Sequence, residues 1–204
     1  MQIILFRHGE KQRPNLSIFS DIKDVYLTKT GIVQIEKLGQ ALRKKFPSLI
    51  ASHIIYSSHY TRAIQSADII KSILEIKRSE IVPEFGEFIA YTNYQNPYEI
   101  RQHIQEMAMQ NPEWISPETK TSLNQVISSF QLKITEIYHQ SHPDLILIAT
   151  HGGIIRNFIY SLEPKFRPAD NLIAESKIHE GGYSILDFDG QTFSVIEFDV
   201  HDHL

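Results

Sequence analysis

The 204-residue sequence predicts an α/β protein built in three layers (α/β/α), with helices covering both faces of a mainly parallel central sheet. Three observations carry that prediction. Short continuous apolar runs, "IILF" at 3–6, "HIIYSS" at 53–58 and "DLILIA" at 144–149, have the pattern of strands buried on both faces. Each is followed by a stretch with helical apolar spacing, so strand and helix alternate. The chain then closes with "YSILDFDGQTFSVIEFDV", whose alternation around Asp189-Gly190 predicts a β-hairpin.

Taken in order, "IILF" is the first strand. After a polar loop, "LTKTGIVQIEKLGQALRKKF" predicts a helix capped by Thr30, with Ile32, Ile35, Leu38 and Leu42 on its buried face and Pro47 just beyond its end. "HIIYSS" leads into "HYTRAIQSADIIKSIL", a helix with Ala63, Ala67, Ile70 and Leu74 on one stripe. "EIVPEFGEF" reads as a short strand ended by Pro83. From Ile89 to Pro117 the chain reads as irregular, with Tyr91, Tyr94, Tyr98 and Trp114 set among Asn and Pro. A long helix is expected from Lys120 to Tyr138, then the strand "DLILIA", then "THGGIIRNFIYSL", a glycine turn opening into a helix. No repeat or linker interrupts this order. The expectation is one domain over 1–204 with a lid-like insertion at about 86–117.

Composition narrows the function. A formal charge of −4 with 22 % charged residues advertises no basic surface, which argues against a nucleic-acid partner or an anionic membrane. The absence of cysteine excludes disulfides, a thiolate metal site and a cysteine nucleophile. No apolar run reaches membrane-spanning length, and "MQIILFR" lacks the parts of a signal peptide, so a cytoplasmic location is expected.

The chemistry gathers at three strand ends. The first strand ends on Arg7-His8-Gly9-Glu10, the second runs into "SSHYTRA" with Arg62 in the first turn of the next helix, and the third ends on Thr150-His151-Gly152-Gly153. In an open parallel sheet those ends lie along one edge, where ligands bind. Two guanidinium forks suit a tetrahedral oxyanion. Helix amino termini add N–H donors. A neutral, oriented imidazole is a competent nucleophile toward phosphorus.

These four stretches ("RHGE", "LTKTGIVQIEKLGQAL", "SSHYTRAIQSA" and "THGGIIR") resemble, in order and near spacing, those of the histidine phosphatase superfamily, the phosphoglycerate mutase-like proteins. The resemblance implies a phosphoglycerate mutase-like fold and a phosphatase that forms phosphohistidine on His8, with Arg7, Arg62 and His151 binding the phosphoryl oxygens. It implies a carboxylic acid from "VPEFGEF" that protonates the leaving oxygen, for which Glu84 is the choice and Glu87 the alternative. It implies no metal, no cofactor, and a phosphorylated small molecule as substrate, with a phosphoprotein also admitted. The sequence departs from the mutase pattern at "KQRPN" after RHGE, which moves the reading toward hydrolysis. The alternatives are a phosphoglycerate mutase-type phosphotransferase and a catalytically silent phospho-ligand binding module.

Other polar residues carry weaker readings. Glu10 orients the arginines or is a plain loop residue, and His59 borders the substrate or is exposed. His53, His103, His139, His142 and His179 are read as structural or exposed. The terminal "HDHL" has two histidines without a third ligand nearby in sequence, which reads as a frayed end. Selectivity is expected from residues 86–117 and 165–182, with Arg101, Lys165, Arg167 and Lys177 as their cations.

Overall fold

The computed structural model describes residues 1–12, 25–47, 54–88, 97–117, 120–167 and 178–204. Among them the order is β1 (Gln2–Arg7), α1 (Lys29–Lys45), β2 (Ile54–Ser57), α2 (Thr61–Ile73), β3 (Arg78–Ile81), α3 (Pro97–Gln110), α4 (Leu123–Ser141), β4 (Leu145–Thr150), α5 (Gly152–Leu162), β5 (Tyr183–Phe188) and β6 (Phe193–Val200). The strands form one six-stranded sheet in the order β3-β2-β4-β1-β5-β6. The first four strands pair parallel, and the β5–β6 hairpin adds an antiparallel edge beside β1. Among the described residues, no helix is long and apolar enough to cross a membrane.

The period-two geometry of the strands sorts their side chains into two cores. From β1, Ile3 and Leu5 join the layer of α4 and α5, while Ile4 and Phe6 join the layer of α1 and α2. β4 divides in the same way, with Ile146 and Ile148 on one side and Leu145, Leu147 and Ala149 on the other. Both strands are therefore apolar at every core position, as the unbroken runs required. Asp189 closes the hairpin turn, its Oδ1 accepting from the Gln191 and Thr192 amides, and Gly190 supplies the positive φ of 103°.

Three expectations are corrected. Thr28, not Thr30, caps α1: its Oγ1 accepts from the Gly31 amide at 3.0 Å, and its hydroxyl reaches Glu10 Oε1 at 2.6 Å. Ile32 is 38 % exposed, and the buried face of α1 runs through Gly31, Ile35, Leu38, Gly39 and Leu42. The stretch read as irregular contains α3, which starts on Pro97 and sends Ile104 and Ala108 into the core, with Trp114 packed against it. Tyr91 and Tyr94 lie outside the described residues.

One backbone contact links the fold to its ligand edge. A Cβ at Gly9 would lie 2.2 Å from the Gly31 carbonyl oxygen, and a Cβ at Gly31 would lie 2.1 Å from the Glu10 carbonyl oxygen. The loop after β1 thus rests directly on the start of α1, and only glycine allows that approach at either position. Gly9→Ala and Gly31→Ala are each expected to cost about 3 kcal/mol or more in urea denaturation. Gly39→Ala should cost less, because its obstacle is the movable Ile73 side chain.

Candidate active site

His8 leaves β1 with its amide bonded to the Thr150 carbonyl at 3.1 Å, so the first residue beyond β1 is tied to the end of β4. Its ring is 3 % exposed. Nδ1 lies 2.7 Å from the Gly9 carbonyl, and since a carbonyl only accepts, Nδ1 carries the proton. Nε2 is left with its lone pair, which accepts from Arg62 Nε at 3.1 Å. Burial pushes the His8 pKa well below the usual histidine value, electrostatic interaction with His151, Arg62 and Arg7 lowers it further, and the Gly9 bond opposes only in part. The ring is therefore neutral at pH 7, as a nucleophile requires. In an NMR titration its carbon-bound protons should not shift between pH 8 and about pH 6.5, the ordinary histidine midpoint. A midpoint near that ordinary value would contradict this environment. The linkage has a definite sign: with the folded pKa depressed, this group's contribution to stability is complete above the unfolded value and is lost as pH falls through the folded one.

His151 is fully buried at the N-cap of α5. Its Nδ1 lies 3.2 Å from Arg62 Nη2 and its Nε2 lies 2.8 Å from Ser58 Oγ. A guanidinium only donates, so Nδ1 accepts and Nε2–H donates to the serine. Ser58 is itself 0 % exposed at the end of β2 and fixes the imidazole plane. The His8 and His151 rings stand 5.2 Å apart at 65°, with Arg62 touching both. Arg62 is 1 % exposed in the first turn of α2, and its Cζ lies 4.5 Å from the centre of the Tyr60 ring.

Arg7 approaches from the other side. Its guanidinium donates to the Ile178 carbonyl and, at 2.8 Å, to Glu180 Oε1. Gly152 packs against its stem, where a Cβ would come within 3.1 Å of Cδ.

Of the two candidate acids, the structure brings Glu87, the alternative, to this cluster and leaves Glu84, the first choice, on an exposed turn. Glu84 is exposed on a short 3₁₀ turn, Pro83–Phe85. The turn is pinned from below: Phe85 is fully buried, and the Thr150 hydroxyl donates to its carbonyl at 2.6 Å. Gly86 then passes close to the Pro83 carbonyl and the His59 ring. The chain next delivers Glu87, 10 % exposed at its side chain, with Oε2 3.5 Å from Arg62 Nη2 and Oε1 beside Gly153 in the first turn of α5. Two buried histidines, two arginines and one carboxylate thus gather at this edge of the sheet. A tetrahedral oxyanion placed there would meet donors from several sides and a lone pair at its centre.

A protein-family model described as the histidine phosphatase superfamily (branch 1) matches residues 3–200. The chain belongs to the histidine phosphatase superfamily. No curated protein matches it. Among solved structures it is similar to Bacillus stearothermophilus YhfR, at 21 % identity and TM-score 0.74 over 99 % of this chain and 98 % of that one. It is similar to a mycobacterial glucosyl-3-phosphoglycerate phosphatase at 17 % identity and TM-score 0.67, covering 97 % and 98 %. A phosphoglycerate mutase from Bacillus anthracis gives 16 % and 0.71, covering 100 % and 94 %. At these identities the likeness is one of fold, and it extends over nearly the whole of each chain.

The other singled-out residues of this histidine phosphatase family member have other tasks. Glu10 does not orient an arginine: its amide donates to Gln34 Oε1 and its carboxylate accepts from Thr28, which latches the loop to α1. His59 is exposed, stacked on Tyr60 and against Gly86. Lys165 pairs with Glu163 and is 70 % exposed at its side chain. Lys177 lies outside the described residues. Sequence reasoning gave no role to Ser58, Tyr60, Thr150 or Glu180. All but Glu180 stand within two residues of a strand end already marked by a motif. Glu180 carried no such signal, because only the fold brings it to Arg7.

Proposed function

We propose that this protein is a phosphatase that hydrolyses phosphomonoesters of small molecules through a phosphohistidine on His8. The observation that supports this most is the state of the His8 ring: buried, neutral, its proton committed to Gly9, and its Nε2 lone pair held among Arg62, Arg7 and His151. A bound phosphoryl group takes over the Arg62 and His151 contacts that those side chains now make with each other. Nε2 attacks phosphorus in line. Arg7 and Arg62 carry the charge on the equatorial oxygens, His151 joins them as a donor once its Nδ1 takes a proton from the bound phosphate monoester, and the leaving oxygen departs with a proton from the Glu87 carboxyl. Water then attacks the phosphohistidine, Glu87 as carboxylate accepts its proton, and inorganic phosphate and free His8 result. No step draws on a metal or cofactor.

The leaving group has a matching cleft beside Glu87, lined by Gln105, Met109, Arg156 and Asn157. Its mixed polarity suits a phosphorylated metabolite better than a nucleic acid or a lipid.

The test is hydrolysis of p-nitrophenyl phosphate in the presence of EDTA and, in separate chelator-free assays because EDTA binds vanadate, inhibition by orthovanadate as a mimic of five-coordinate phosphorus. Turnover that survives the chelator and is inhibited competitively by vanadate is expected. Complete loss of activity in EDTA would contradict the scheme. The phosphotransferase alternative predicts something different, namely interconversion of phosphoglycerates primed by bisphosphoglycerate at a rate above hydrolysis. Phosphate binding with no turnover on any ester would favour the silent binding module.

A further inference from the structure

The two histidines of "HDHL" lack a third ligand in sequence, and the fold joins only one of them, His201, to ligands from elsewhere. Among the described residues, His179, Asp199 and His201 come together on the surface, each offering one ligand atom within 4.8 Å of the others. From this geometry we infer a binding site for one divalent transition-metal ion of the zinc class, separate from the phosphate pocket.

The donor set fits that class. Two imidazoles and one carboxylate are borderline and hard donors, suited to Zn²⁺, Co²⁺ or Ni²⁺ and poor for Ca²⁺ or Mg²⁺, which want oxygen throughout. The spacing fits as well. His179 Nδ1 and His201 Nδ1 lie 2.7 Å and 3.7 Å from Asp199 Oδ2. Tetrahedral bonds of about 2.0–2.2 Å put neighbouring ligand atoms roughly 3.3 Å apart, between those two values. Both Nδ1 atoms face Asp199 Oδ2, and the two rings, now stacked with 3.7 Å between centroids and 18° between planes, must rotate apart to aim both lone pairs at one ion.

Asp199 is held for this position by features that a solvated surface carboxylate does not need. The β5–β6 ladder shifts register between Tyr183 and Ile185, so β6 carries an extra residue there. Asp199 itself sits at φ 49°, a left-handed conformation in which a non-glycine residue is strained. Its amide donates to Ser184 Oγ, and its Oδ1 accepts from the His179 amide at 2.9 Å. The side chain is 14 % exposed, while His179 and His201 are 52 % and 44 % exposed, which leaves the outer coordination positions to water. Without metal, His179 Nδ1–H is bonded to Asp199 Oδ2 and His201 Nδ1 to the Asp199 carbonyl. On binding, each ring's proton moves through solvent from Nδ1 to Nε2, the metal takes the Nδ1 lone pairs so freed, and the carboxylate supplies the single negative ligand.

The position gives the ion a structural consequence. His179 lies between Ile178 and Glu180, the two residues that hold the Arg7 guanidinium. The Gly182 amide donates to the His179 carbonyl, and the Gly181 amide to the Arg7 carbonyl. A metal at His179 therefore clamps the segment that carries Arg7's partners.

Isothermal calorimetry with ZnCl₂ on the full chain tests the site. One saturable site per chain is expected. His201→Ala and Asp199→Asn should weaken it by at least about tenfold, as losing even a supporting group does. His8→Ala should leave it intact, and so should His203→Ala, since His203 Nε2 is engaged by the Gly181 carbonyl. Saturating Zn²⁺ should raise the melting temperature of the wild type by about 5 °C, and not that of His201→Ala. It should also slow hydrogen exchange at the Gly181 and Gly182 amides. No saturable binding would overturn the inference, and so would binding lost in His8→Ala but kept in His201→Ala, which would place the ion in the phosphate pocket.

Discussion

Replacing His8 with alanine should lower the turnover of p-nitrophenyl phosphate by about four orders of magnitude or more, because in the proposed reaction His8 forms the covalent intermediate. The loss falls on kcat. Phosphate binding survives, since Arg7, Arg62 and His151 are held by partners other than His8: the Ile178 carbonyl and Glu180, Glu87, and Ser58. The fold survives as well, because the His8 amide still reaches the Thr150 carbonyl. A His8→Ala protein with ordinary turnover would show that the pocket works without its central ring. Steady-state kinetics, with equilibrium binding of inorganic phosphate measured in parallel, separates the two effects.

The second large effect separates the two glutamates. Glu87→Gln keeps the size and the contact with Arg62 but has no proton to give. Its kcat on an alkyl phosphate should fall by about 10²–10⁴, the usual contribution of a positioned general acid. On p-nitrophenyl phosphate, whose leaving oxygen needs little protonation, the first step should suffer far less. Glu84→Gln should match the wild type on both substrates, because Glu84 is exposed on the Pro83–Phe85 turn. Equal losses in the two variants, or a loss confined to Glu84→Gln, would return the acid role to the residue the sequence favoured. The dependence on leaving group is the readout that a merely structural Glu87 would not produce.

The contrast between those glutamates shows what the sequence could and could not disclose. The four basic residues were legible because each stands within a few residues of a strand end, and parallel topology sends those ends to one edge. Which glutamate joins them was not, because that depends on tertiary contacts. Thr150 reaches across from β4 to hold the Phe85 carbonyl, Gly86 slips past His59, and only then does the next carboxylate turn inward. Thr30 was read as the helix cap, and the bond from the Thr28 hydroxyl to Glu10, 18 residues away, helps fix the cap at Thr28 instead. The α3 helix was hidden for a related reason. Its neighbourhood is rich in Asn, Pro and Tyr, and what fixes it is the burial of Ile104 and Ala108 against the core. The glycines of "RHG" and "LTKTG" read separately as motif letters, whereas Gly9 and Gly31 are two sides of one backbone contact.

The central claim is that phosphorus passes through His8 Nε2. Its most direct test is rapid mixing with a phosphomonoester, quenching in alkali, where a phosphohistidine survives, and locating the phosphoryl group by peptide mass spectrometry. The account predicts a transient, acid-labile phosphate on His8 that forms and decays at rates consistent with turnover and persists longer in Glu87→Gln. Full turnover with no phosphorylated His8 at any time point, or with phosphate on another residue, would contradict it.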